Sequence, residues 1–274
     1  MANFDVLIHL RRTDAATPAV TLGLALAKRL GAWTTGLHVV PIAPPAFASP
    51  EAVALQVHEA DQMVKEALAR ADWWQELLAA RGISGEWQAS QGDTVEVICH
   101  AARWNDVVVV ERPQLNPDAP TGWGVVSRTV FASSAPVVVV PESVKLDHCG
   151  SHLLIAWNKS REAARAIHGA LPLLRRAERV TVLEGEAVDN PFGLRYLPKL
   201  DLRAWLARHE VDAEFRAFPG SKERGSALLD AAHAASADMI VMGAWGHSRI
   251  TELVLGGTTR YLFQSSDLPL LVAH

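Results

Sequence analysis

The sequence predicts an α/β protein made of two tandem, doubly wound domains, each with a five-stranded parallel sheet. Short apolar segments rich in Val, Ile and Leu alternate with longer amphipathic segments, which is typical of a parallel sheet covered on both faces. The second part of the chain repeats the order of segments found in the first. With 274 residues, the chain is long enough for two modest domains.

Composition narrows the class of protein. About half of the residues are apolar (49%) and 20% are charged, with a net charge of −4, so nothing favours nucleic-acid binding. The two cysteines, Cys99 and Cys149, are too few for a disulfide framework and fit a reducing compartment. The sequence shows neither a signal-peptide pattern nor a long uncharged apolar segment, so we expect a cytoplasmic protein without membrane contact.

The sequence of the first half predicts five strands with helices between them. From Glu51 to Gly82, apolar residues recur every three or four positions, which predicts one long amphipathic helix that stops at Gly82. A shorter helix is expected over residues 93–103. The predicted strands are 4–10, 35–42, 84–90, 105–111 and 135–141.

The second half repeats this plan. Helices are expected over 160–174, where Pro172 should bend or shorten the helix, and over 223–235. A further helical pattern follows Gly257. The predicted strands are 152–157, 179–185, 213–218, 238–244 and 268–274.

The two halves align residue by residue. One constant spacing superimposes positions in a strand, a loop and a helix, which indicates a tandem duplication. We therefore predict an N-terminal domain over 1–142 and a C-terminal domain over 151–274, related by a pseudo-twofold axis and joined by a polar linker. The matched pairs are Asp106 with Asp238, Gly124 with Gly256, and Arg128 with Arg260.

A glycine-rich segment follows the fourth strand of the second half, reading Gly243-x2-Gly246-x9-Gly256-Gly257. Open α/β sheets bind ligands beyond the carboxyl ends of their strands, where the strand order reverses. Glycines there let the backbone approach a ligand, and the amides at a helix start attract anions. The hydroxyl of Thr258 adds a donor, so the segment predicts a phosphate site.

This spacing closely resembles the G-x2-G-x9-G-[ST] signature of universal stress proteins, and both halves resemble that family, as in its tandem members. The resemblance implies an adenine nucleotide alpha hydrolase-like fold. It also implies a site for ATP or a related adenine nucleotide, which can bind together with Mg²⁺. The implied phosphate contacts are Gly243, Gly246, His247, Gly256, Gly257 and Thr258, and Met242 just before them is a further implied nucleotide contact. The implied contacts at the ends of strands one and two, toward ribose and adenine, are Ala156, Trp157, Asn158, Leu183, Glu184 and Gly185.

Some positions depart from the family pattern. Gly257 stands where the signature has a hydroxyl, and Asn158 stands where nucleotide-binding members usually carry Asp. In the first half, Glu111 and Gln114 oppose Gly243 and Gly246. A carboxylate repels phosphate, so we expect the N-terminal half to bind no nucleotide and to serve as a pseudo-dimer partner surface.

Several alternatives stay open at this stage. The glycines also fit a tight turn and close helix–sheet packing, without any ligand. The resemblance predicts a sensor or adaptor with an unknown protein partner, not an enzyme, with at most slow ATP hydrolysis. One alternative is a nucleotide-independent stress adaptor that uses protein contacts or a small apolar ligand, and another is an ATP-using enzyme. Pairing of two chains through the strands at 135–141 and 268–274 is also left open.

No metal site is assigned, because His148, Cys149 and His152 lack a standard zinc spacing.

Overall fold

Strands and helices alternate along both halves of the chain. The structure, a computed structural model, describes residues 4–42, 49–114, 124–185, 199–218, 224–244 and 257–274. The first half comprises β1 (Asp5–Leu10), α1 (Pro18–Leu30), β2 (Trp33–Pro41), α2 (Pro50–Leu68), α3 (Ala71–Ala79), β3 (Ser84–Gly92), α4 (Thr94–Ala101), a 3₁₀ turn (Ala102–Trp104), β4 (Val107–Arg112), α5 (Val125–Ala132) and β5 (Val137–Pro141). The second half comprises β6 (His152–Trp157), α6 (Arg161–Leu174), β7 (Arg179–Glu184), α7 (Leu202–Arg208), β8 (Glu214–Ala217), α8 (Arg224–Ala234), β9 (Met239–Gly243), α9 (Gly257–Ser265) and β10 (Leu270–Ala273).

The described strands form one ten-stranded sheet in the order β3-β2-β1-β4-β5-β10-β9-β6-β7-β8. Within each half, every strand pair is parallel. The order reverses between β1 and β4 in the first half and between β6 and β9 in the second, which is the doubly wound topology. The predicted fold class is therefore confirmed.

Between its two outermost strands, β3 and β8, the sheet is buried on both faces, as the continuous apolar strands predict. Along β4, Val107 and Val109 belong to one core, and Val108 and Val110 belong to the other. Each of the two cores contains residues of both halves. The apolar layer on each face of the sheet therefore continues from one half to the other.

The halves join through β5 and β10, which pair antiparallel with Leu271 opposite Val138. This join is the pseudo-dimer arrangement. The alternative in which two chains pair through these same strands is wrong, because β5 already lies between β4 and β10, and β10 lies between β5 and β9. The outermost strands of the described sheet are β3 and β8.

The single helix predicted from Glu51 to Gly82 is wrong, because α2 ends at Leu68 and α3 begins at Ala71. At the break, Arg70 donates from Nε to the carbonyl of Thr13 at 2.9 Å. In α3, the buried indole of Trp74 packs against Gly36 of β2. The apolar periodicity gives no signal of the break, because its spacing of three or four residues continues from Ala67 through Ala71 and Trp74 to Leu78.

In the second half, α6 continues past Pro172 to Leu174, so the proline does not shorten the helix. The helix α7, which the sequence did not delimit, is short and begins after Asp201. The carboxylate of Asp201 accepts a hydrogen bond from the backbone N–H of Ala204 at 3.0 Å. No helix among the described residues is both long and apolar enough to cross a bilayer.

Candidate functional site

The carboxyl ends of β7, β6 and β9 lie side by side in the second half. Ala156 of β6 is in register with Leu183 on one side and with Met242 on the other. Trp157 lies opposite Glu184, and its carbonyl accepts a hydrogen bond from the Gly185 N–H at 2.8 Å. The structure thus brings the residues predicted at the ends of strands one and two together with Met242, the predicted contact on strand four of this half.

Asn158 lies in the turn from β6 into α6. Its side-chain oxygen accepts a hydrogen bond from the Ser160 N–H at 3.1 Å, and the Ser160 hydroxyl then caps α6 by accepting from the Ala163 N–H at 3.1 Å. Between them, Lys159 has a φ of 61°, in the left-handed region that favours glycine. Because the oxygen of Asn158 serves the turn, its amide nitrogen is the atom left to donate to a ligand.

Gly243 is explained by packing between β9 and α6. A Cβ built on Gly243 would lie 2.3 Å from the Ala163 nitrogen and 2.5 Å from the Glu162 carbonyl carbon, so any other residue would collide with backbone. This close approach matches the packing alternative that the sequence left open. A ligand contact at Gly243 remains a prediction.

Gly257 and Thr258 begin α9, as the resemblance implies for the end of the glycine segment. A Cβ on Gly257 would meet no described atom within 4 Å, so packing of the described residues does not require glycine there. Thr258 is half-buried, and Thr259 is buried. The remaining predicted phosphate residues, Gly246, His247 and Gly256, lie outside the described residues.

Sequence reasoning missed the buried carboxylate of Glu162, in the first turn of α6 and next to Gly243. Arg161 pairs with it at 2.8 Å. An acidic residue in the first turn of the helix after β6 was the available signal. For Mg²⁺, the described part of this site offers the carboxylate of Glu162, already paired with Arg161, and that of Glu184 at the end of β7. The described residues contain no group of three His, Cys, Asp or Glu side chains arranged for a metal. The fit to Mg²⁺ is therefore poor.

The corresponding crevice of the first half is closed by an ion pair. Arg11, which follows β1 as Asn158 follows β6, donates to the Glu111 carboxylate at 3.0 Å. The Glu111 side chain is 4% exposed. The next residue, Arg112, is also buried and turns toward α9 of the other half. A pair of charged side chains therefore bridges the ends of β1 and β4 in the first half.

A pocket of about 390 Å³ lies at the amino-terminal ends of the second half's strands, at the opposite edge of the sheet from the crevice. His148 and His152 line it, together with Glu178 and His233. Cys149 is turned into the core, and its burial raises the pKa of the thiol to about 12. The cluster near the linker thus separates into a buried thiol and histidines that face the pocket.

Comparison with known proteins agrees with the fold. The model of the universal stress protein family matches residues 5–141 and again 151–274. A universal stress protein from Archaeoglobus fulgidus has a similar solved structure, with 17% identity, a TM-score of 0.70, and coverage of 98% of this chain and 95% of that chain. A functionally unknown protein from Pseudomonas aeruginosa PAO1 is similar at 14% identity and a TM-score of 0.59, over 98% of this chain and 92% of its own.

These likenesses are low in identity, so the solved structures support the fold alone. No curated protein matched the chain. The strand-order reversals in the two halves define a tandem, doubly wound α/β protein. Because the family model matches twice and covers most of the sequence, the chain belongs to the universal stress protein family.

Proposed function

We propose that the C-terminal half binds one adenine nucleotide, ATP or a close relative, and that the N-terminal half binds none. The observation that carries this proposal is the contrast between the two crevices. In the first half, Arg11 and Glu111 close the space, and in the second half Asn158 and Gly243 hold the same positions without bridging it. The duplication thus supplies its own comparison within one chain.

The groups around this crevice suit a nucleotide. The amide nitrogen of Asn158 can donate to a ribose hydroxyl, and the apolar side chain of Leu183 suits an adenine ring. The start of α9 supplies backbone N–H groups and the hydroxyl of Thr258 for phosphate. The paired carboxylate of Glu162 favours nucleotide bound without a protein-held Mg²⁺.

We further propose that the protein acts as a cytoplasmic sensor or adaptor in a stress response and not as an enzyme. The described residues of the crevice include one buried carboxylate, Glu162, which is held by Arg161 and has no second acid or base arranged beside it. Both described cysteines are free thiols, which fits a reducing compartment. Nucleotide occupancy would then be the signal that a protein partner reads.

Isothermal titration calorimetry tests the binding. ATP, ADP and AMP should each be titrated into the purified chain, and one site per chain is expected. The variant Leu183→Glu should abolish binding, because it puts a carboxylate where adenine would stack; since Leu183 is 5% exposed, thermal melting must show that the variant is folded. The matched control Val139→Thr, in the strand that joins the halves, should bind normally. Absence of heat for all three nucleotides at millimolar concentration would overturn the proposal.

A second candidate is an adaptor that works without nucleotide. The observation in its favour is the packing role of Gly243, which accounts for one signature glycine without a ligand. The double variant Asn158→Asp with Gly257→Ser distinguishes the candidates, because it restores the family's usual carboxylate and hydroxyl. If only the double variant binds ATP, the nucleotide-independent adaptor is favoured.

A further inference from the structure

The buried guanidinium of Arg112 connects the two halves at the end of α9. Arg112 is the last residue of β4 and is 5% exposed. Its Nη1 donates to the carbonyls of Leu262 and Phe263, both at 3.0 Å, and its Nη2 donates to the carbonyl of Ser266. One side chain of the N-terminal half therefore binds three backbone carbonyls of the C-terminal half.

These carbonyls lie in and just after the last turn of α9, and that of Leu262 also accepts a hydrogen bond from the Ser266 N–H at 3.0 Å. The arginine thus adds hydrogen bonds at the end of the helix. A cation at this end also interacts favourably with the helix dipole. Leu262 and Phe263 are fully buried, so water does not replace the arginine easily. The contact fixes the C-terminal end of α9 in position and direction.

The duplication shows that this contact belongs to one half only. The spacing that aligns Arg128 with Arg260 places Ala244 opposite Arg112, and the alanine side chain carries no donor group. At the end of α5, Phe131 is 49% exposed, whereas its counterpart Phe263 is fully buried. Arg112 thus lies next to Glu111 of the first half, and its side chain extends to α9 of the other half.

We propose that Arg112 is a positioning residue for the nucleotide site of the C-terminal half. This inference rests on the proposed function, because α9 begins with Gly257 and Thr258, the described part of the predicted phosphate contacts. A nine-residue helix moves as one body, at a rise of about 1.5 Å per residue. Holding its last turn therefore sets where its first amides point.

The test compares two arginines that cross between the halves. Arg112→Met removes the contact to α9. Arg29→Met is the matched control, because Arg29 donates to the Ser151 hydroxyl and to the Arg176 carbonyl, away from α9. Nucleotide affinity is measured by calorimetry, and hydrogen exchange of α9 is measured by mass spectrometry without nucleotide.

We expect Arg112→Met to weaken nucleotide binding by about tenfold or more and to speed exchange in α9 by a similar factor, since charged hydrogen bonds are lost. For Arg112→Lys, the nucleotide affinity and the exchange rate of α9 should lie between those of the unmodified chain and of Arg112→Met, because one ammonium cannot reach all three carbonyls as the guanidinium does. Arg29→Met should leave both readouts near the wild-type values.

Two results overturn the inference. One is an unchanged exchange rate in α9 of folded Arg112→Met. The other is an equal loss of affinity in Arg29→Met, which would reflect general destabilisation of the halves. If the unmodified chain binds no nucleotide, the proposed function fails instead, and the exchange comparison still reports whether Arg112 holds α9.

Discussion

Arg11 and Glu111 form a 3.0 Å ion pair across the ends of β1 and β4, at the positions that Asn158 and Gly243 occupy in the second half. The arginine is 43% exposed and the carboxylate only 4%. The main effect of the ion pair is therefore to compensate the buried charge of Glu111; the attraction between two exposed charges would contribute less.

The first prediction concerns this pair. Arg11→Met should lower the free energy of unfolding by about 1–3 kcal/mol, because it leaves the Glu111 carboxylate buried without its cation. Adding Glu111→Gln should recover part of that loss, since the buried group is then neutral. Urea denaturation of both single variants and the double variant measures the coupling, and strictly additive losses would contradict the prediction.

The second prediction separates two signature glycines. Gly243→Ala should cost about 1–3 kcal/mol or more of unfolding free energy, because its Cβ would lie 2.3 Å from the Ala163 nitrogen. Gly257→Ala is the control and should change stability by less than about 1 kcal/mol, since no described atom lies within 4 Å of the new Cβ. Similar losses in the two variants would show that close packing is not what distinguishes them.

The third prediction concerns the left-handed residue between β6 and α6. Lys159→Gly should raise the free energy of unfolding by about 0.5–1 kcal/mol, because glycine adopts a φ of 61° without strain. Lys159→Ala keeps the strain and should give little change. Thermal melting ranks the variants, and an alanine variant as stable as the glycine variant would refute the role of φ.

The fourth prediction is a pH dependence in the N-terminal half. Burial lowers the pKa of His9 from 6.5 to about 4, aided by the nearby charges of His38 and Arg11. Because the folded protein keeps His9 neutral, the unfolded chain binds the proton first as the pH falls. Stability should therefore be full above pH 6.5 and should fall by up to about 3 kcal/mol between pH 6.5 and pH 4.

Replacing the histidine tests this dependence. His9→Gln cannot titrate, so its unfolding free energy should vary less over that pH range than in the unmodified chain. His58→Gln, at an exposed position of α2, is the matched control and should keep the full dependence. Equal acid sensitivity in both variants would place the cause elsewhere.

Much of the fold could be predicted because the signals are local. The four consecutive valines of β4 indicate a strand buried on both faces, and the repeated spacing of Asp106 and Asp238 indicates the duplication. The break at Arg70 could not be predicted, because it depends on a hydrogen bond to Thr13 from a distant loop. The short helix after Asp201 carries too few turns for a clear period.

Some residues of the candidate site could likewise be predicted from the sequence, and others could not. Asn158, Leu183 and Met242 could be assigned to one edge of the sheet because parallel strands end together. Glu162 and Arg112 could not be assigned to it. Their importance comes from close contacts between elements, with Gly243 in one case and with the last turn of α9 in the other.

The join between β5 and β10 has a consequence for how the halves meet. Both strands are buried in one sheet, and the halves belong to one chain, so each finds its partner at an effective concentration that dilution does not change. Subunit exchange, which lets a dimer of separate chains mix its partners, has no counterpart at this join. Each molecule therefore keeps its own pair of unlike halves for as long as it stays folded.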